Sequence, residues 1–445
     1  MRTARNKSSR KAAEEIFRAA VSAASPYDSV RSNLKLLSKK LKIYNLSLDL
    51  KSIKNIYLIG AGKAACPMAK AVEDALGSRI KAGCVVTKYN HALKLKYAEV
   101  IEAGHPLPDR NGLKGAQKIL EIARSAGQGD LVIFLLSGGA SALLPAPVEG
   151  LSLKDKKRLT GLLIGSGASI QEINTVRKHL SRIKGGRLMD IAYPARVITL
   201  IVSDVVNDDI SSIASGPTAP DPSTYTDALD VIKRYGLLKK APPKAISFLK
   251  MGASGAIVET PKPGEKVFKN CENIIIVNNS MALRAAKEKA SSLGYRSLVL
   301  SSTITGPARK AAGFFTSILK EAKKNGNPLR PPCCIIMGGE TVVEVRGTGL
   351  GGRNQELALA SAIGLEGSEG ITVLSAGTDG TDGPTEAAGA FADCSTVQRG
   401  RSAGLDVRKY LDDNDSYRFF KKLKDLFITG PTGTNVMDIA IGLVE

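Results

Sequence analysis

Two glycine-containing turns in the first third of the chain could bring a lysine and several hydroxyls close to an anion. In "LIGAGKAACPMA", Gly60, Gly62 and Ala65 match the G-x-G-x-x-G/A spacing of dinucleotide-binding turns, where backbone N–H groups at a helix N-terminus receive a phosphate. Lys63 adds a mobile cation that suits a carboxylate or a transferring phosphoryl group, although an exposed lysine on an ordinary turn is the alternative. The next β-like run ends in "VVTKY" without the acid that holds a ribose, so NAD is disfavoured and NADP has weak support.

The second of these turns, in "FLLSGGASALL", likewise places glycines between an apolar run and the start of a helix-like run. Ser137, Gly138, Gly139 and Ser141 follow an apolar run, so their amides and hydroxyls should point at one small volume and form an anion nest. Close glycine packing with a serine helix cap is the alternative. In "EAGHPLPD", His105 stands at another strand end, where a structural role and a functional role are both open.

Acidic residues follow a later β-like run, in "LIVSDVVNDDISSIASGPTAPD". Asp204 ends the run, and Asn207 and Asp208 follow it after two valines. Carboxylates in this position could bind Mg²⁺ or accept a proton from a hydroxyl group. Turns and helix caps stabilised by the same side chains are the alternative.

Two stretches of the last hundred residues carry further candidates. In "GTGLGGRNQELALA", Arg353 stands just before a helix beginning near Asn354, where its planar fork and the positive helix end suit a carboxylate or phosphate. In "SAGTDGTDGPT", Asp379 and Asp382 lie in a glycine-rich turn that lacks the EF-hand pattern, and the chain has no Walker A motif. These aspartates either bind Mg²⁺ or a substrate hydroxyl, or only stabilise the turn.

The elements that must position these residues alternate between β-like and helix-like runs. Runs such as "NIYLIG", "DLVIFLLS" and "ARVITLIVSD" are apolar throughout, which is typical of a parallel sheet covered on both faces. We therefore predict an α/β protein of two domains: a doubly wound, Rossmann-like domain over residues 1–240 and a second α/β domain over residues 241–445. A Pro- and Gly-containing stretch within residues 236–272 is the predicted linker.

The second domain is predicted to include "NIIIVNN" and to contain a mixed sheet. The neighbouring runs "CCIIMGGE" and "TVVEVRG" have too little between them for a crossover helix, so we expect them to pair antiparallel. Ligands of open α/β sheets collect beyond the carboxyl ends of the strands, and two domains imply a cleft between them.

Composition narrows the class of protein. The 445 residues are 43% hydrophobic and carry a formal net charge of +21. Lys and Arg are mixed with acids on helix-like segments without a nucleic-acid module, so we expect no nucleic-acid partner.

The apolar runs fall short of the roughly 18 residues that cross a bilayer. No hydrophobic signal segment opens the chain, so we expect a soluble, cytoplasmic protein without a membrane partner. The basic start "MRTARNKSSRK" permits a transit peptide, but the periodicity of "AAEEIFRAAVSAA" favours a helix of the fold.

Taken together, these stretches resemble the signature blocks of the type II glycerate kinases, a two-domain family whose carboxy-terminal part is called the MOFRL domain. The resemblance covers nearly the whole chain, and its blocks occur in the family's order: "GAGKAACPMA", "EAGHPLPD", "LLSGGASALL", "VSDVVNDDISSIASGPTAPDP", "GGETVVEVRGTGLGGRNQELALA", "SAGTDGTDGPTEAAGA" and "TGPTGTNVMDI". One block departs slightly, because Asn207 stands where relatives commonly have Gly.

The resemblance implies ATP-dependent phosphorylation of D-glycerate with Mg²⁺ or a similar divalent cation, with 2-phosphoglycerate as the expected product. Lys63 and Arg353 match the family's proposed catalytic or substrate-binding cations, and Asp204 or Asp379 is expected to orient the hydroxyl or the metal. Candidate metal ligands are Asp204, Asp208 and Asp379. The residues expected to bind substrate or nucleotide are Gly60, Gly62, His105, Ser137, Gly138, Gly139, Ser141, Asn207, Gly339, Glu340, Asn354 and Asp382.

Two other functions stay open at this point. An NADP-dependent dehydrogenase of a small hydroxy acid rests on Gly60, Gly62 and Ala65, and binding of a polyanion rests on net charge alone. A homodimer is one assembly that the sequence permits.

Overall fold

The computed structural model describes residues 2–445, with side chains from Ser8 onward, and these residues form sixteen α-helices and fifteen β-strands. The helices are α1 (Arg2–Ala23), α2 (Pro26–Asn33), α3 (Ala65–Leu76), α4 (Arg110–Ser125), α5 (Ala140–Leu143), α6 (Leu153–Gly165), α7 (Ile170–His179), α8 (Arg187–Ala192), α9 (Tyr225–Arg234), α10 (Pro243–Ala253), α11 (Asn279–Ser292), α12 (Ala308–Asn325), α13 (Arg353–Gly364), α14 (Thr396–Ser402), α15 (Val407–Asp412) and α16 (Ser416–Leu423). The strands are β1 (Leu34–Leu36), β2 (Lys40–Ile43), β3 (Leu46–Asp49), β4 (Ile56–Ala61), β5 (Ile80–Lys88), β6 (Glu99–Ala103), β7 (Leu131–Leu136), β8 (Arg196–Val202), β9 (Cys271–Val277), β10 (Arg296–Ile304), β11 (Cys333–Gly339), β12 (Ile371–Gly377), β13 (Gly389–Asp393), β14 (Leu426–Phe427) and β15 (Asp438–Val444). Each described helix is too short or too polar to span a lipid bilayer.

The chain divides into two compact units. The N-terminal unit is Pro26–Ile276, and the C-terminal unit combines the residues up to Ser25 with Val277–Glu445. Helix α1 belongs to the C-terminal unit because the Arg10 guanidinium bridges two buried carboxylates there, Asp425 at 2.5 Å and Asp393 at 2.8 Å. The opening segment is therefore a helix of the fold, as its periodicity predicted.

This division differs from the predicted boundary near residue 240. The predicted linker, residues 236–272, lies inside the N-terminal unit, where α10 packs against α9. The run "NIIIVNN", assigned to the second domain, forms most of β9, which is an edge strand of the N-terminal sheet. Proline and glycine mark turns whether or not a domain ends there, so composition alone misplaced the boundary.

A six-stranded sheet organises the N-terminal unit, in the order β6-β5-β4-β7-β8-β9. The pairs β5/β6, β4/β5, β4/β7 and β7/β8 are all parallel. Every residue of β4 and β7 is buried, which explains why both runs are apolar throughout. The strand order is that of a doubly wound Rossmann-like sheet, and it reverses between β4 and β7. The predicted Rossmann-like fold is confirmed.

Helices α6, α7, α9 and α10 form a separate small core in the same unit. Three of them begin with a reciprocal capping box, formed by Ser152 with Asp155, Ser169 with Glu172, and Thr224 with Asp227. Apolar side chains such as Leu159, Leu163 and Ile173 fill the space between these helices.

The C-terminal unit contains the predicted mixed sheet, in the order β10-β11-β15-β12-β13-β14. The β10/β11 pair is parallel, and β15 runs antiparallel to both β11 and β12. The predicted pairing of "CCIIMGGE" with "TVVEVRG" is wrong, because β11 takes the distant β15 as its antiparallel partner. Residues 341–347 form no strand, and only Val342 makes an isolated bridge, to Pro307.

Candidate active site

The switch point of the N-terminal sheet brings the two glycine-containing turns together. Lys63 N donates to Gly138 O at 2.9 Å, and Ala64 N donates to Ser137 Oγ at 3.0 Å. Gly62 has a φ of 133°, and a Cβ there would lie 2.5 Å from the Ser137 carbonyl oxygen and closer still to its hydroxyl. Glycine is therefore required because the two turns approach so closely.

These contacts count against a dinucleotide-binding turn. The Lys63 and Ala64 amides, which would face a pyrophosphate in such a turn, already donate to the neighbouring turn. Thr87, near the end of β5 where a ribose-binding acid would be expected, donates instead to Gly62 O at 3.1 Å. Gly60 lies within β4, where an added Cβ would be 3.1 Å from Leu135 Cβ, so packing accounts for this glycine.

The side chains of His105 and Lys63 converge above Gly139. A Cβ at Gly139, whose φ is 87°, would lie 2.9 Å from His105 Cδ2 and 3.5 Å from Lys63 Cγ. Burial, and then the charges of Lys63 and Lys88, lower the pKa of His105 to about 4. At neutral pH the imidazole is therefore uncharged and can donate or accept a hydrogen bond beside two lysines. We call Gly62, Lys63, His105 and residues 137–139 the Lys63 site.

Ser141, on the short helix α5, is held by a lysine that the sequence predictions missed. The ammonium group of Lys184 donates to Ser141 Oγ at 2.8 Å, Ser141 O at 3.1 Å and Ala214 O at 3.0 Å. Lys184 follows α7 in "SRIKGGRL" and is 1% exposed. Its only sequence signal was a lysine next to two glycines, which is equally typical of an exposed turn.

The segment after β8 carries the acidic candidates in an irregular backbone. Asn207 and Asp208 have φ values of 65° and 55°, in the left-handed region where glycine is favoured and Asn and Asp are best tolerated. Asn207 is therefore compatible with this left-handed backbone. Asp209 accepts hydrogen bonds from Ser211 and Ser212 and stabilises the same turn, whereas Asp204 is half-buried directly after the strand.

A metal ion would find few protein ligands in the described part of the chain. Among residues 8–445, no group of three or more His, Cys, Asp or Glu side chains is arranged to hold an ion. Mg²⁺ that enters with a nucleotide usually needs one or two carboxylates besides the phosphates. Asp204 and Asp208, the predicted ligands after β8, belong to the N-terminal unit, while Asp379 belongs to the C-terminal unit.

Arg353 begins α13 in the C-terminal unit and is held by two carboxylates. Its Nε and Nη2 donate to Asp438 at 2.6 and 3.1 Å, and its Nη1 donates to Glu340 at 2.7 Å. Burial by itself would lower the pKa of Arg353, but the two carboxylates together have the larger effect, so its pKa is raised. Three of the five guanidinium N–H groups are used in these bonds, which leaves two for an oxyanion. Gly339, which precedes Glu340, has a φ of 141°, and an added Cβ would overlap the Ile304 carbonyl oxygen of β10, so glycine is required there.

Asp382 fixes the start of α13. Its carboxylate accepts bonds from the backbone N–H groups of Asn354 at 3.1 Å and Gln355 at 2.8 Å, and from the side-chain amides of both residues. Asp382 is 2% exposed, and burial raises its pKa against the effect of these bonds. Asp379 is half-buried in the same turn and accepts bonds from Thr381 N and Oγ1, each at 3.0 Å.

Asp438 is a second residue that the sequence predictions missed. It opens β15, pairs bidentately with Arg353, and accepts a hydrogen bond from the Asn354 side chain at 2.8 Å. Burial raises its pKa to about 7, against the lowering effect of Arg353. The available signal was an aspartate at the start of the apolar run "DIAIGLV", immediately after a glycine-rich loop.

The structure therefore groups the predicted residues into two sets. The Lys63 site lies in the N-terminal unit. Glu340, Arg353, Asn354 and Asp382, together with Asp438, form the Arg353 site in the C-terminal unit. Cations gathered at the carboxyl ends of strands in a doubly wound sheet are typical of enzymes that act on small anionic metabolites.

Comparison with known proteins identifies the family. Residues 12–250 match the domain described as DUF4147, a domain of unknown function, and residues 333–438 match the MOFRL family. The chain belongs to the glycerate kinase family that combines these two regions, as the motif resemblance predicted.

Several relatives are similar over almost their full length. A D-glycerate 2-kinase of Thermotoga maritima is 45% identical over 98% of both chains, and a glycerate 2-kinase of Pyrococcus horikoshii is 41% identical over 96% of this chain and 95% of the relative. A crystal structure of glycerate kinase from Thermotoga maritima superposes with a TM-score of 0.87 at 43% identity and covers 99% of this chain and 100% of that one. A protein of Agrobacterium vitis, named only as a candidate hydroxypyruvate reductase, is 41% identical over 98% of this chain and 95% of the relative.

Proposed function

We propose that this enzyme transfers the γ-phosphoryl group of ATP to the 2-hydroxyl of D-glycerate. The observation that carries the proposal is the similarity to glycerate 2-kinases over nearly the whole chain. The cationic Lys63 site at the switch point supports it, because a phosphoryl transfer requires positioning and charge neutralisation more than covalent chemistry.

In this proposal, Lys63 neutralises an oxyanion of the substrate or of the transferring phosphoryl group. Its stem lies over Gly139, beside an uncharged His105 that can orient the same group without adding charge. The backbone and hydroxyls of residues 137–141 shape the floor of the site, since their turn is fixed by bonds to the Lys63 turn. Mg²⁺ would be held by Asp204 and Asp208, and when bound it would neutralise charge on the ATP phosphates.

Arg353 serves in the proposal as a fixed cation. Asp438 and Glu340 restrain the guanidinium, so little side-chain entropy remains to be lost when an oxyanion meets its two remaining N–H groups. Asp379 is proposed to orient the glycerate hydroxyl, because it is half-buried, whereas Asp382 is fully occupied at the helix start. The expected cleft between the domains, the homodimer and the cytoplasmic location stay predictions.

The test is incubation of the purified protein with ATP, Mg²⁺ and D-glycerate, followed by phosphorus NMR of the product. We expect 2-phosphoglycerate; 3-phosphoglycerate would contradict the regiochemistry, and no product would contradict the kinase assignment. Lys63→Ala and Arg353→Ala should each lower kcat/KM by about 10² or more, as for loss of a charge partner in the transition state. Lys250→Ala, at an exposed lysine of α10, is the matched control and should leave turnover unchanged.

An NADP-dependent dehydrogenase of a small hydroxy acid is the alternative function, and the relative named as a candidate hydroxypyruvate reductase is the reason to test it. The engaged amides of Lys63 and Ala64 count against a bound pyrophosphate. We expect no NADPH oxidation with hydroxypyruvate. Tight NADPH binding by fluorescence titration together with hydride transfer would replace the kinase proposal.

A further inference from the structure

A buried lysine of the N-terminal unit lacks a hydrogen-bond partner. Lys156 is 8% exposed, and its Nζ makes no hydrogen bond within the described residues 8–445. It lies on the same face of α6 as Leu159 and Leu163, which pack into the small core with α7. An ammonium group in such a place is costly unless another group compensates it.

A hydrogen-bonded group of side chains connects α7 to the turn at residues 137–141. Lys184 donates to Ser141, whose hydroxyl lies 3.3 Å from Ser215 Oγ, and Ser215 donates in turn to Asn174 Oδ1 at 3.0 Å. Asn174 is one helical turn before Arg177 on α7. Arg177 is half-buried, and its guanidinium takes part in none of the side-chain hydrogen bonds or ion pairs found among residues 8–445.

The charges in this group are all of one sign. The charge of Arg177 adds to burial in lowering the pKa of Lys156 to about 7, and the charges of Lys156 and Arg177 likewise add to burial in lowering the pKa of Lys184. The neighbouring Lys178 is a contrast, because it is paired with the buried Asp221 at 3.3 Å. Cations that repel one another in a buried place, without a carboxylate between them, are typical of a site for an anionic ligand.

We propose that Lys156, Arg177 and Lys184, with the hydroxyls of Ser141 and Ser215, form a pocket that binds an oxyanion group of the reactants. The group is either the carboxylate of glycerate or a phosphoryl group of the nucleotide or the product. Lys156 and Arg177 supply the unused donors, and Lys184 holds Ser141 in place and adds charge. The identity of the reactants rests on the proposed kinase function, but binding itself does not require turnover.

The test is isothermal titration calorimetry of the intact protein and of Lys156→Met with four probes: D-glycerate, 2-phosphoglycerate, Mg-ADP and inorganic phosphate. Loss of a hydrogen bond from a charged donor should weaken the bound probe by about 10- to 100-fold. If Lys156→Met binds D-glycerate more weakly but Mg-ADP as tightly as the intact protein does, the pocket binds the glycerate carboxylate. If only Mg-ADP binding is weakened, the pocket binds a phosphoryl group. Lys157→Met removes the same charge from the adjacent exposed position of α6 and should leave every affinity within about twofold.

A second readout separates a binding role from a structural one. Replacing an unpartnered buried ammonium by an apolar side chain of similar shape should raise the melting temperature of the ligand-free protein, while the additional stabilisation by the bound probe becomes smaller. Unchanged affinities for all four probes in both Lys156→Met and Arg177→Met would overturn the proposal. Normal probe binding by the intact protein without any phosphorylated product would instead count against the kinase function alone.

Discussion

The buried carboxylate of Asp382 should decide whether the helix that presents Arg353 forms correctly. Asp382→Ala removes the acceptor of four hydrogen bonds and leaves the backbone N–H groups of Asn354 and Gln355 without their partner in a buried place. Each unsatisfied buried donor costs about 1–3 kcal/mol, so the two together cost roughly 4 kcal/mol. An exposed helix cap is worth typically about 1 kcal/mol, and the difference reflects the 2% exposure of Asp382.

The assay is hydrogen exchange measured by mass spectrometry on peptides from the start of α13. Local exchange is preferable to a global melting curve because two compact units need not unfold in one step. A loss of about 4 kcal/mol corresponds to exchange roughly 10³-fold faster at these amides. Asp379→Ala in the same turn is the control, with an expected cost of at most about 1 kcal/mol, because Asp379 is more exposed.

The two variants should also differ in catalysis. Asp379→Ala is expected to lower kcat/KM for glycerate with little change in exchange, whereas Asp382→Ala should affect both. If exchange at α13 in Asp382→Ala rises by less than about tenfold, the carboxylate does not hold the helix start, and our explanation for its burial is refuted.

Three further outcomes are expected. The pKa of Asp438 is about 7 in the folded protein, so the folded state binds an extra proton between about pH 4 and 7. The stability of the wild-type protein relative to Asp438→Asn should therefore fall as the pH rises from about 4 to 7, by at most about 4 kcal/mol in denaturant titrations. A difference that does not change with pH would contradict this. The pKa of His105 is about 4, so its ring protons should not titrate in NMR spectra above pH 5, and its contribution to stability should be lost as the pH falls from about 6.5 to 4. Gly62→Ala should cost about 3 kcal/mol because its Cβ overlaps Ser137, whereas Gly161→Ala, with open space around it on α6, should not lower the melting temperature.

Much of the N-terminal site could be predicted from local patterns. In a parallel sheet, the residues after each apolar strand all reach the same edge, so Lys63, His105 and Ser137 were correctly expected at strand ends. The Arg353 site was predicted in part. Arg353 and Asn354 stand in one motif, but Asp438 lies 85 residues beyond Arg353, and no local pattern indicates which carboxylate reaches it.

The errors have a common physical cause. The predicted domain boundary relied on a local Pro- and Gly-containing stretch, and the predicted pairing of residues 333–340 with 341–347 relied on their closeness in sequence, so both used local information for a long-range property. The structure instead pairs β11 with β15 and places α1 with the C-terminal unit, since long-range apolar packing and the ion pairs of Arg10 outweigh chain proximity.

The sequence by itself determined the α/β class, the Rossmann-like alternation and the family, because buried strands, glycine turns and signature blocks are local properties of the chain. Only the tertiary structure distinguished Asp382, buried against the start of α13, from Asp379 in the same turn. It also revealed that the buried Lys156 ammonium has no hydrogen-bond partner in the part of the chain whose side chains are described. The burial of a side chain and its hydrogen-bond partners depend on which residues distant in sequence pack around it, and the residue type alone does not determine that.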